Sequence, residues 1–172
     1  VTASTGEVIE GITEYPLVQD PFILVTPAGL CPQGADLKPL LNDLPMLRYG
    51  RDQLISKQIE SHLKRVGFAP PNRFEIASNP SLIAMVSRGI GWAITTPLGF
   101  LRAARFHEKV DAHPLPFAPV SRTISLLAGD DWADTVPRDM AQTMRTLIGQ
   151  HILAPGIDRF PWLKDEFRLL DA

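Results

Sequence analysis

The sequence predicts an α/β fold, and three segments carry that prediction. A strand, a capped helix, a glycine and a second strand follow one another over residues 74–97. Two longer helices are predicted over residues 53–66 and 137–152, where apolar side chains recur at helical spacing. A strand, helix and strand this close together favour a β-α-β unit, whose polar strand ends gather at one edge of a sheet. Open α/β sheets bind small molecules at that edge.

The central segment has a start signal, a stop signal and a polar end. Residues 74–77 are short and partly apolar, which favours a buried strand. Asn79 is a suitable helix cap, and Pro80 suits the first helical position, where its missing N–H costs nothing. Gly89 is a typical left-handed helix end. Residues 90–94 then form a second strand, which ends at two threonines and a proline.

The chain before this segment alternates strands and helices. One strand, or two strands interrupted at Asp20-Pro21, is predicted over residues 17–25, and such a segment suits a passage from one lobe to another. A helical turn is predicted at residues 37–41 and a short strand at 46–49. The helix over residues 53–66 is the clearest in the sequence, because its apolar residues form one stripe and its charges lie largely off it.

The chain after the central segment repeats this alternation. A helix is predicted over residues 98–106, and an edge strand near Leu115 and Phe117. Residues 122–128 form a strand, and the helix over 137–152 is expected to end at Pro155-Gly156. Apolar residues at helical spacing over 160–170 predict a docked C-terminal helix.

Composition excludes several classes of protein. The 172 residues are 45% hydrophobic and 21% charged, with a formal net charge of −2, so no electrostatic footprint for nucleic acid is visible. No apolar run approaches the ~20 residues that span a bilayer, which predicts no membrane association. The single cysteine, Cys31, rules out an internal disulfide and fits a cytoplasmic location.

Catalytic and cofactor motifs are missing from the sequence. There is no nucleotide-binding glycine fingerprint, Walker loop or nucleophile elbow. The four histidines lack the spacing of metal ligands, so neither a metal nor a cofactor is expected. Cys31 lies in a proline- and glycine-rich loop with no histidine nearby in sequence, and an inert thiol explains it better than a nucleophile does.

Several segments together resemble the effector-binding domain of LysR-type transcriptional regulators. The most telling carries Met85-Val86, then Gly89 and Gly91 ahead of an apolar strand, as in the family's signature. None of the matching segments is specific alone, but their order and spacing are. The similar segments are residues 14–27, 44–49, 58–68, 85–94 and 121–126.

This resemblance implies a type-2 periplasmic-binding-protein-like fold, with two lobes joined by two crossover strands. Residues 1–20 and 121–172 correspond to the first lobe with the C-terminal helices, and residues 21–120 to the second lobe. The family's helix-turn-helix head, linker helix and first strand and helix of the first lobe have no counterpart in this sequence. We therefore expect a fragment whose first lobe is incomplete.

The implied function is regulatory and not enzymatic. In the family a small effector binds in the cleft and shifts the arrangement of dimers or tetramers, which changes how the heads grip DNA. The resemblance therefore implies a small polar metabolite as effector, a homodimer or homotetramer, and contact with DNA only through the absent head. Two alternatives stay open: a solute-binding protein of a transport system, and a small hydrolase that uses Cys31.

The candidate effector contacts are polar side chains at strand ends and helix starts, where anions and polar metabolites are held. Each also has a structural explanation: Asn79 as a helix cap, the threonines as strand residues, Arg48 in a surface ion pair and Tyr49 in the core. The candidates are Thr2 (or Ser4) in the first lobe, and Arg48, Tyr49, Asn79, Ser81, Thr95 and Thr96 in the second.

Overall fold

The chain forms two compact units in a computed structural model that describes residues 1–31, 36–133 and 135–171. The first unit comprises Val1–Pro21 and Ser121–Ala172, and the second comprises Phe22–Val120. The strands are β1 (Thr2–Ala3), β2 (Ile12–Pro21), β3 (Ile23–Pro27), β4 (Met46–Tyr49), β5 (Arg73–Ile76), β6 (Ala93–Thr95), β7 (Val110–His113), β8 (Ser121–Gly129) and β9 (Arg168–Leu169). The α-helices are α1 (Lys38–Asp43), α2 (Leu54–Arg65), α3 (Asn79–Val86), α4 (Pro97–Leu101), α5 (Thr135–Ile148) and α6 (Ala154–Arg159).

The first unit is built on a sheet with the strand order β1-β8-β2-β9. Strands β2 and β8 pair antiparallel from Ile12↔Gly129 to Pro21↔Ser121, with an irregularity between Pro16 and Val18. Helix α5 packs against β2, where the buried Arg145 donates to the Pro16 carbonyl through Nε at 3.0 Å and Nη2 at 2.6 Å. These two bonds satisfy a carbonyl close to the irregularity in β2.

The second unit carries the central segment of the sequence. Strand β3 pairs antiparallel with β6 and β7, and β4 pairs parallel with β5. A parallel bridge between Met46 and Trp92 places β4 beside the chain that enters β6. The buried Trp92 indole donates to the carbonyls of Leu41 and Leu44 at 3.2 and 3.0 Å, which ties α1 to the core.

The central segment has the predicted order of elements but differs in two details. Ser78, and not Asn79, is the helix cap: its Oγ accepts from the backbone N–H of Ser81 at 3.3 Å. Asn79 is therefore the first helical residue. Strand β5 is exposed rather than buried, because within the described part of the chain it pairs with β4 alone. Gly89 has φ +77°, which confirms its role as the left-handed stop.

The predictions for the other elements of the second unit are confirmed in part. The strand at 46–49 is confirmed, and the clearest predicted helix is found as α2. The helix predicted over 98–106 is instead α4 followed by a 3₁₀ segment, Ala104–Lys109. The edge strand is Val110–His113, ahead of Leu115 and Phe117.

The C-terminal predictions are wrong in two places. Pro155 and Gly156 do not end the helical segment; a π-helical turn, Gly149–Leu153, follows α5 and α6 begins directly after it. The predicted terminal helix is a short 3₁₀ turn, Pro161–Leu163, followed by β9. Within the part of the chain that the structure describes, no helix has the length and apolar character needed to cross a bilayer.

Candidate functional site

Three polar side chains from separate elements of the second unit meet at one point. The Tyr49 hydroxyl, at the end of β4, donates to Asn79 Oδ1 at 2.6 Å and lies 2.7 Å from Thr95 Oγ1 at the end of β6. Thr95 Oγ1 also lies 3.3 Å from Asn79 Oδ1. Tyr49 is only 3% exposed and Thr95 is 0% exposed, so their hydroxyls require partners inside the protein.

Gly99 completes this cluster from the other side. Asn79 Nδ2 donates to the Gly99 carbonyl at 2.7 Å, and because only the nitrogen end of a side-chain amide can donate, this bond fixes the orientation of the amide. A Cβ at Gly99 would lie 2.8 Å from Thr95 Oγ1 and 3.1 Å from Asn79 Oδ1. A glycine is therefore needed here for the cluster to close. We call Tyr49, Asn79, Thr95 and Gly99 the amide-locking cluster.

Two serine hydroxyls lie beside the amide-locking cluster. Ser78 and Ser81 are exposed at the start of α3, and Ser78 Oγ donates to Ser81 Oγ at 2.8 Å. Asn79 lies between them in sequence and is half-buried. Its Oδ1 accepts from hydroxyls and its Nδ2 donates to Gly99, so among the described residues the second amide N–H has no partner. This edge of the unit offers hydroxyl groups and one amide N–H.

Thr96 has a structural task at the next helix. Its Oγ accepts from the backbone N–H of Gly99 at 3.3 Å and so caps α4, and the residue is 0% exposed. Thr95 and Thr96 thus hold the protein's own polar groups. Their predicted direct contact with an effector stays a prediction; Thr95 bonds to Asn79, and Thr96 caps α4.

Arg48 lies apart from the amide-locking cluster. Its Nη1 binds Glu60 at 3.1 Å and its Nη2 binds Glu75 at 3.0 Å. The hydrogen bond from Arg48 lowers the pKa of Glu75 below its ordinary value. Arg48 therefore forms the kind of ion pair that was its structural explanation in the sequence.

The predicted residues thus fall into groups. The structure brings Tyr49, Asn79 and Thr95 together and places Ser81 beside them, while Thr2 lies in β1 of the first unit, where its hydroxyl donates to the Ala3 carbonyl at 3.4 Å. Its predicted role remains a prediction. Sequence reasoning missed Ser78 and Gly99. The serine-rich start of α3 was a signal for Ser78, but the need for a glycine at position 99 arises only from the folded contacts.

The metal and thiol alternatives concern the histidines, the carboxylates and Cys31. Among the described residues, no group of three or more histidine, cysteine, aspartate or glutamate side chains could hold a metal ion. Cys31 is a half-buried free thiol in the first described stretch, beside residues 32–35, which lie outside the described part of the chain.

The fold and a comparison with known families show which family the chain belongs to. An α/β chain that passes twice between two compact units is of the periplasmic-binding-protein-like class of ligand-binding domains. A profile described as "LysR substrate binding domain" matches residues 4–133. The chain therefore belongs to the LysR substrate-binding domain family, and both the resemblance and the fold class predicted from the sequence are confirmed. No curated protein sequence matches it significantly.

Solved structures of similar fold are regulatory domains. The reduced regulatory domain of OxyR2 from Vibrio vulnificus has 19% identity and a TM-score of 0.65, covering 84% of this chain and 69% of that one. The CcmR regulatory domain from Synechocystis PCC6803, in complex with 2-PG, has 12% identity and a TM-score of 0.67, covering 88% and 73%. A variant of the BenM effector-binding domain has 14% identity and a TM-score of 0.65, covering 87% and 72%. At these identities the likeness shows the fold.

Proposed function

We propose that this effector-binding domain senses a small polar metabolite at the edge of the second unit formed by Ser78, Asn79 and Ser81. The observation that carries the proposal is the amide-locking cluster, in which two buried hydroxyls hold one half-buried amide in a fixed orientation. An amide held this way loses little rotamer freedom when a ligand binds it, so less of the binding free energy is spent on ordering the site.

Each residue of the proposed site has a distinct role. Asn79 supplies its remaining amide N–H to an acceptor atom of the effector, and the hydroxyls of Ser78 and Ser81 donate or accept as the ligand requires. Tyr49 and Thr95 do not need to reach the ligand, because they act by orienting Asn79. We leave Arg48 out of this site, since two carboxylates already engage it.

Membership in the family supports the wider proposal. We infer that the unit Phe22–Val120 is the second lobe, that the domain assembles as a homodimer or homotetramer, and that effector binding modulates DNA binding by a helix-turn-helix head in the full-length protein. The domain acts in the cytoplasm by binding and not by catalysis. The CcmR domain of similar fold was solved with 2-PG, which supports testing small acids first.

A thermal-shift screen against small acids, aromatic acids, amino acids and sugars tests the proposed site. A genuine effector raises the melting temperature of the wild-type domain, because it binds the folded state only. The Ser81→Ala and Asn79→Ala variants lose this rise. The control Ser61→Ala, at an exposed position of α2, keeps it. A ligand-induced rise that is unchanged in Asn79→Ala and in the double variant Thr95→Val/Thr96→Val would refute the site.

A further inference from the structure

Five side chains of alternating charge form a chain of ion pairs in the second unit. Arg73 Nη1 binds Glu60 Oε2 at 2.7 Å, and Arg48 bridges Glu60 Oε1 and Glu75 Oε2 at 3.1 and 3.0 Å. Arg51 Nε reaches the same Glu75 oxygen at 3.5 Å. Arg48 is the buried centre of this chain, with its side chain 9% exposed, whereas the Arg51 side chain is 81% exposed.

A depression of about 370 Å³ opens over these charges. Besides the arginines and Glu60, the depression is lined by Ser56 and by the exposed Lys57, both from the first turn of α2. Among the described residues, no carboxylate lies within ion-pair distance of Lys57. We call this depression the basic pocket; its lining residues are Arg48, Arg51, Ser56, Lys57, Glu60 and Arg73.

The charges of the basic pocket do not balance. Four positive side chains line it, and the two carboxylates that bind them are Glu60 and Glu75, which leaves an excess of two positive charges. Asp52 is left out of this count because, among the described residues, it makes no ion pair with these four cations, whereas Glu75 binds both Arg48 and Arg51. The excess is carried by the two most accessible groups, the Arg51 guanidinium and the Lys57 ammonium.

Helix α2 adds to the positive potential at the pocket. The lining residues Ser56 and Lys57 belong to its first turn, and its cap residue Gln53 makes no side-chain capping bond; the Gln53 amide nitrogen donates to the Ala77 carbonyl. No acidic residue occupies the first turn. The partial positive charge of the helix start is therefore not offset by a side chain of that turn.

We propose that the basic pocket is a second ligand site, separate from the serine and asparagine edge, that binds a doubly charged oxyanion of the phosphate or sulfate type. A guanidinium fork and an ammonium are the groups that hold such oxygens in proteins. The two excess charges match a divalent anion. The two ion pairs of the buried Arg48 fix the floor, so the accessible Arg51 and Lys57 act as the binding groups above it.

The source of the oxyanion is either free in solution or a phosphoryl group on a larger metabolite, and titrations distinguish the two. Inorganic phosphate and a small phosphomonoester are added separately to the domain, with sodium chloride at matched ionic strength as the reference, and amide chemical shifts are followed by NMR. We expect saturable shifts at residues 51–57 with phosphate and none with chloride. Tighter binding of the monoester assigns the site to a phosphorylated metabolite, and equal binding assigns it to the free anion.

Variants with opposite expected effects separate binding from general damage. Arg51→Gln and Lys57→Gln each raise the dissociation constant for phosphate about tenfold, since each removes a charge-assisted hydrogen bond. Glu75→Gln lowers it about threefold, because it removes a competing carboxylate. Lys64→Gln, an equal change of charge at an exposed position near the end of the same helix, leaves it unchanged.

Several outcomes overturn the proposal. One is a linear, non-saturating response to phosphate, and another is a response that chloride reproduces. A third is an equal loss of binding in Lys64→Gln and Lys57→Gln, which would show a general effect of net charge. Because Asn79 lies outside the pocket, Asn79→Ala is expected to bind phosphate like the wild type, so failure of this proposal is distinguishable from failure of the effector site.

Discussion

Removing one hydroxyl, by the substitution Tyr49→Phe, tests the amide-locking cluster. The hydroxyl bonds to Asn79 Oδ1 at 2.6 Å and to Thr95 Oγ1 at 2.7 Å, while the ring is 3% exposed and keeps its packing as phenylalanine. A net contribution of about 1 kcal/mol for each hydrogen bond gives an expected loss of about 2 kcal/mol in the free energy of unfolding of the second unit. The Thr95–Asn79 contact of 3.3 Å remains in the variant, so we expect no further loss of free energy from the rest of the cluster.

Urea unfolding followed by tryptophan fluorescence measures this loss. With Trp132 and Trp162 replaced by phenylalanine in every variant, the signal comes from the buried Trp92 and reports on the second unit. The sequence offers a matched control, because its only other tyrosine is Tyr15 in the first unit. We expect Tyr15→Phe to leave the Trp92 transition unchanged. A Tyr49→Phe transition that coincides with the wild type, or with Tyr15→Phe, would show that the hydroxyl does not hold the cluster.

Two further predictions concern packing and pH. Gly91→Ala places a Cβ against the Pro45 backbone carbonyl, which cannot move as a side chain can, so we expect the free energy of unfolding in urea to fall by about 3 kcal/mol. Gly149→Ala, whose Cβ meets a leucine methyl at 3.3 Å, is the control, and an equal loss in both variants would contradict this prediction. Burial, followed by the charge of a nearby arginine, lowers the pKa of His62, so the unfolded chain takes up the proton first as pH falls. The contribution of His62 to the free energy of unfolding is therefore fully present above about pH 6.5, the ordinary histidine pKa, and is lost as the pH falls below it. We expect the free energy of unfolding of His62→Gln to depend less steeply on pH than that of the wild type or of the exposed-site control His151→Gln. An unchanged slope in His62→Gln would contradict this.

Local sequence signals account for the elements that were predicted correctly. Helix α2 is amphipathic along its length, and its buried residues include Ile59 and Leu63 of the predicted stripe. Gly89 follows α3 with a φ of +77°, a conformation that glycine itself permits, so the end of the helix is visible in the local sequence. In both cases the information lies within a few residues, so a single sequence suffices.

Errors occur where distant residues decide the structure. The C-terminal tail has helical spacing, yet Arg168 and Leu169 pair with Gln19 and Val18, far away in sequence. Strand β5 was expected to be buried, and its exposure follows from its place at the sheet edge. Pairing partners and sheet order are not encoded in local spacing, so period alone cannot reveal them.

The candidate site was only partly visible in the sequence for the same reason. Polar residues at the ends of strands and at a helix start pointed to Tyr49, Asn79 and Thr95, but their mutual hydrogen bonds span 30 and 46 positions. The folded contacts show that Asn79 is half-buried and is held by the two buried hydroxyls of Tyr49 and Thr95. They also show that Gly99 must lack a side chain.

We propose that the effector binds at the start of α3. Amide NMR mapping of the effector found by the thermal-shift screen tests this site directly. We expect shift changes concentrated at Ser78–Ser81 and at Gly99, and their loss in Asn79→Ala. Changes that are concentrated elsewhere, for example at the apolar depression lined by Trp132, Val136 and Met140, would contradict it.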